Sequence, residues 1–106
     1  MRVSVVIFRL PPRRPNRELG QFVKQFYGQE TSSWGGKYSY HRSGLLDRIP
    51  HRKFLRGVVI VRDQDVREVR VFLEEWKAQV EVRDIRPTRE DLAVLRRAVP
   101  AQPTRQ

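Results

Sequence analysis

The chain has 106 residues, 39% of them hydrophobic, no cysteine, and a formal net charge of +10. That length suits one domain with a modest core, and the missing cysteines exclude disulfides, thiolate nucleophiles and cysteine-ligated metals. Two histidines with few acids nearby make a poor metal site, and no run approaches the ~18 apolar residues of a membrane span.

The charge is unevenly placed. Residues 1–62 hold 13 basic and 3 acidic residues, whereas residues 63–106 hold 9 of each. An excess of this kind predicts a polyanionic partner, because each neutralised phosphate releases counterions. Arginine supplies 18 of the 22 cations. Its planar fork grips phosphate bidentately and stacks on bases, although a thermophile-like composition also raises arginine usage.

In chain order, Val3 to Arg9 is rich in β-branched residues and stops at Pro11-Pro12, which predicts a central strand. Arg9 and the prolines also cut that apolar run too short for a signal peptide, so a cytoplasmic location is expected. Arg13, Arg14 and Arg17 follow in a proline-rich linker. Asn16 is placed as the N-cap of a helix carrying Leu19, Phe22, Val23 and Phe26, which Gly28 ends. Gln29 to Gly36 reads as a polar loop, and Lys37 to Arg42 as an alternating strand with Tyr38, Tyr40 and Arg42 on one face.

Ser43-Gly44 reads as a turn, and Leu45 to Ile49 fits either a short strand or a helical turn. Pro50 opens a predicted turn of helix through HRKFLR that stacks Arg52 and Arg56 at i, i+4 and closes at Gly57. Residues 57–61 are a second buried strand. A helix over about 65–78 follows, with Asp65 and Glu68 as its capping box and Val66, Val69, Leu73 and Trp76 as its apolar stripe. Gln79 to Ile85 alternates as a half-exposed strand. Thr88 with Asp91 caps a last helix bearing Leu92, Leu95 and Val99, and residues 100–106 form a flexible tail after one domain over 1–99.

This order of elements predicts an α+β fold. The expected form is a ferredoxin-like βαββαβ sandwich, an antiparallel sheet with two helices on one face, plus a C-terminal helix. A three-stranded domain with 37–56 as an extended arm is the rival. Arg56-Gly57 opens like the third-strand signature of RNA-recognition-motif domains, but Val58 and Ile60 occupy the positions of its aromatics. The chain therefore lacks that family's base-stacking residues.

The stretch from Trp34 to Arg56 is the expected binding surface. It holds six cations against one acid, both histidines, and four aromatics, Trp34, Tyr38, Tyr40 and Phe54. Nucleic acid is the predicted partner, RNA in preference to DNA, in a ribosome or other ribonucleoprotein particle. The candidate contacts are Arg13, Arg14, Lys37, Tyr38, Tyr40, Arg42, Arg48, Arg52, Lys53 and Arg56. Two alternatives stand beside this. One is a metal-independent endoribonuclease with His41 and His51 as acid and base; the other is a dimeric protein–protein module. No cofactor or metal is expected.

Overall fold

The structure, a computed structural model, describes residues 1–33 and 38–97; for residues 31–33 and 38–40 it describes the backbone alone. Lys37, Val99 and the tail therefore lie outside the described residues. The chain forms a mixed α+β fold with a four-stranded antiparallel sheet, a separate two-stranded hairpin and three α-helices.

Strand β1 (Val3–Arg9) is central, paired antiparallel with β5 (Val58–Arg62) on one side and β6 (Gln79–Ile85) on the other. Strand β4 (His51–Lys53) pairs with β5, so the order across the sheet is β4-β5-β1-β6. Alternation along β1 assigns the faces. Val6 and Phe8 point to one side with Val59 and Val61, against Phe22 and Phe26 of α1 (Asn16–Tyr27) and Val69 and Leu73 of α2 (Val66–Glu75). Leu45, Leu46 and Ile49, from a 3-10 turn and the residue after it, complete this core. Val3 and Val5 point to the other side, where Ile60, Ile85 and Leu95 of α3 (Arg89–Arg96) make a smaller cluster. A continuous apolar run in β1 follows directly from burial on both faces.

Several elements differ from the sequence reading. Gln29–Ser33 is not a loop but a strand, β2, paired in register with β3 (Tyr38–Arg42) and with no rung on the main sheet. HRKFLR is not helical. Its first three residues form β4, because the unpaired edge of β5 accepts them in the register Arg52↔Ile60. Arg52 and Arg56 accordingly do not stack at helical spacing. Leu45–Arg48 takes the helical alternative, as a 3-10 turn.

Two caps also fail. The N-cap position of α1 falls on Pro15, whose carbonyl accepts from the amides of Glu18 and Leu19, and Asn16 is the first helical residue. Asp65 belongs to a 3-10 turn leading into α2, and its carboxylate is taken by Arg62 Nε at 2.7 Å rather than by a helix amide. The cap at Thr88 does form. Thr88 Oγ1 accepts from the Asp91 amide at 3.0 Å and Asp91 Oδ2 accepts from the Thr88 amide at 2.8 Å.

Gly57 holds φ +85° in the β4–β5 turn, and a Cβ there would sit 2.6 Å from the Phe8 carbonyl oxygen. No side-chain-bearing residue fits that turn without strain. Helix α2 closes with the Ala78 amide bonded to the Leu73 carbonyl and the Lys77 amide to that of Glu74. This is a Schellman motif with Lys77, φ +61°, in the place usually taken by glycine. Among the described residues no helix is long and apolar enough to cross a membrane.

Candidate functional site

The predicted cations split into two groups once the chain is folded. Arg14 donates to Glu18 at 2.9 Å and to the Trp76 carbonyl at 2.8 Å, which fastens the approach to α1 to the end of α2. Arg48 lies 3.5 Å from Glu68, an exposed pair of little energetic weight. Arg52 donates to Asp91 at 2.8 Å and lies 3.6 Å from Glu90, pinning α3 onto the sheet. Arg14 and Arg52 thus hold parts of the fold together, and Arg48 is weakly paired. Acids from beyond residue 62 meet cations from before it, so part of the charge imbalance seen along the chain disappears in space.

Among the described residues, Arg9, Arg13, Arg42, Lys53 and Arg56 have no carboxylate partner. Lys53 Nζ sits 5.1 Å from the centre of the Tyr27 ring. Burial raises the pKa of the Tyr27 hydroxyl, opposed by the Gly57 backbone and by Arg56. Arg13 is exposed in the turn after β1 with φ +67°. Arg42 ends β3, where the register sets it on the strand face shared by Tyr38 and Tyr40. The side chains of those tyrosines, like Lys37, fall outside the described part.

Arg9 and Arg56 lie at the end of the sheet where β1 finishes, while Lys53, opposite Val59 in the register, points to the α1 side. Arg9 is its last residue, and Arg56 lies in the turn whose Gly57 carbonyl accepts from the Phe8 amide at 2.8 Å. On the sheet face turned away from α1 and α2, a row of side chains crosses this end: Phe54, Val58, Ile7 and Glu81. The cluster under α3, Val3, Val5, Ile60, Ile85 and Leu95, does not include them. Phe54 is 49% exposed and Ile7 44%, and the Arg52 guanidinium lies 4.9 Å from the Phe54 ring centre. Phe54, Ile7 and Arg9 are not among the sequence candidates. Reading HRKFLR with a period of two instead of a helical period would have put Arg52 and Phe54 on one face.

On the α1 side of the same end, the chain runs from Arg14, bonded at the end of α2, through α1 to the β4–β5 turn, where Tyr27 meets Lys53 and Gly57. Between helix and strand ends lies a cavity of about 750 Å³, which opens past the sheet end to Ile7, Arg9 and Glu81 of the first face.

The two histidines have separate surroundings. His41 Nδ1 lies 2.7 Å from Glu30 Oε1 and Nε2 lies 2.7 Å from Asp47 Oδ2. The hydrogen bond to Asp47, then the one to Glu30, raises its pKa, and the ring clasps hairpin to 3-10 turn with both nitrogens occupied. His51 Nδ1 donates to the Ile49 carbonyl at 2.8 Å, which leaves Nε2 as its one open position among the described residues. No group of three or more metal-ligating side chains is present among the described residues. The chain matches no protein-family model, no curated protein and no solved structure.

Proposed function

We propose that this protein binds nucleic acid, RNA in preference to DNA, on the sheet face opposite α1 and α2 at the end where β1 finishes. The observation that carries the reading is Phe54, a half-exposed ring on the sheet face opposite α1, backed by Arg52, with Arg9 on the same face and Arg56 in the adjoining turn. A base stacks on such a ring for about 1–3 kcal/mol, and cations without acids hold the backbone. RNA is favoured because the uncovered surface is strand and turn rather than a projecting helix suited to a major groove.

The ferredoxin-like reading of the fold belongs to the same proposal. Counting only the four sheet strands in chain order, they lie second, third, first, fourth, with α1 and α2 on one face. That order supports the reading, with the β2–β3 hairpin as an insertion between the first helix and the second sheet strand. A cytoplasmic ribonucleoprotein component is the biological setting it fits.

The test is the salt dependence of affinity for a labelled single-stranded RNA. Replacing Arg9 and Arg56 together by glutamine is expected to lower the slope of log K against log salt by about 1.4. Phe54→Ala is expected to weaken binding about five- to a hundredfold at fixed salt with little change in stability. Affinity indifferent to salt, or unchanged in Phe54→Ala, would reject the site.

A further inference from the structure

The cavity beneath α1 is large for a chain of this length and is apolar inside. Phe8 and Phe22 belong to the core and form its floor, while Leu10, Leu19, Val23 and Tyr27 line its walls. Its volume of about 750 Å³ falls in the range of small-molecule pockets rather than of packing defects.

Gly20 supplies a second and independent observation. It lies inside α1, a helix of 12 residues, on the side lining the cavity, and a Cβ built there meets nothing within 4 Å. Glycine inside a helix is unfavourable relative to alanine, and neither a positive φ nor a close neighbour requires it at this position. A large side chain at this lining position would have open space to enter.

The mouth is charged in one sense. Glu81 is met by Arg83 at 3.0 Å, and Arg9 donates to the neutral Gln79 at 2.9 Å. Arg56 has no carboxylate partner among the described residues. Two uncompensated guanidinium groups therefore border an apolar interior.

We propose that this cavity is a binding site for a small amphipathic anion, its hydrocarbon body between α1 and the end of β1 and its anionic group at Arg56. The interior has too few polar groups to satisfy the hydrogen-bonding edge of a base or sugar, which favours a hydrocarbon chain such as that of a medium-chain carboxylate. The site shares Ile7, Arg9 and Arg56 with the proposed RNA surface but does not depend on that reading, and no RNA enters its test.

Calorimetric titration of the full chain with decanoate, below its micellar range, is expected to show saturable uptake of one equivalent. Decyltrimethylammonium, with the same chain and the opposite charge, should bind at least about tenfold more weakly. Gly20→Leu should abolish decanoate uptake while melting no lower than the parent, and Arg56→Gln should weaken it about tenfold. Methyl resonances of Leu10, Leu19 and Val23 should shift on titration, which locates the ligand without any substitution.

Several results would overturn the proposal. They are no uptake of decanoate by about 1 mM, undiminished uptake in Gly20→Leu, and equal binding of the cationic amphiphile. Attachment to anionic phospholipid vesicles without uptake of free decanoate would also overturn it, since that describes a membrane surface rather than a cavity.

Discussion

The two ends of the four-stranded sheet are made from the same strands and are finished differently. Where β1 begins, α3 lies over Val3 and Ile60, Arg52 is bound to Asp91, Arg62 to Asp65, and the buried Ser4 hydroxyl sits 3.1 Å from Asp63 and 3.3 Å from Asp84. Where β1 finishes, Ile7 and Phe54 are half exposed, Arg9 and Arg56 lack acids, and a cavity separates the strand ends from α1. The first end pairs Arg52, Arg62 and the Ser4 hydroxyl with acids. The second leaves Arg9 and Arg56 without them, and the proposed binding surface rests on that contrast rather than on the net charge.

The comparison can be broken most severely through the core that both ends share. Phe26 is fully buried, stacked on Phe22 and Phe72 and edge-on to Phe8 and Tyr27, and Phe26→Ala is expected to cost about 3–5 kcal/mol in urea unfolding. Next in size is the closed end. Arg52→Ala strips a 5%-exposed Asp91 of its cation and should cost about 1–3 kcal/mol, the lower part of the range because the Thr88 amide still bonds that carboxylate. A loss under about 0.5 kcal/mol would mean α3 is held by Leu95 alone. At the open end the sign reverses. Gly20→Ala should raise stability by about 0.5–1 kcal/mol, because helix propensity improves and no neighbour is displaced.

The smallest expected effect is one of pH. His41 has a raised pKa in the folded chain, chiefly through Asp47 and then Glu30, so its clasp is complete below the ordinary value of 6.5 and is lost as pH rises through the raised value. Amide exchange in β2 and β3, corrected for intrinsic rates, should accelerate over that interval, and His41→Ala should remove the dependence. Asp91 behaves oppositely. Its pKa is lowered, first by the Thr88 amide, so its contribution persists at neutral pH and falls away only as acid passes below the ordinary 3.8.

Much of the framework is legible in the sequence because it is local or strongly periodic. The limits of β1 and β6, the end of α1 at Gly28 and the Thr88–Asp91 cap all follow from alternation, helical spacing and cap chemistry. The failures share a cause. QETSS carries no apolar alternation because β2 pairs only with β3, and HRKFLR becomes a strand because β5 offers it an edge. The site was half visible for the same reason. Composition shows how many cations there are, but which of them meet an acid is decided by contacts as distant as Arg52 with Asp91. Arg9 and Phe54 acquire their setting only when the sheet assembles.

Strands β2 and β3 bond to each other and to no strand of the main sheet, and His41 ties their base to the 3-10 turn. Matched pairs of residues added to or removed from β2 and β3 would lengthen or shorten this two-stranded arm without moving a rung of the main sheet. It is therefore the place to graft an affinity tag or a spectroscopic reporter. It is also where a lineage can vary length while the rest of the domain keeps its registration.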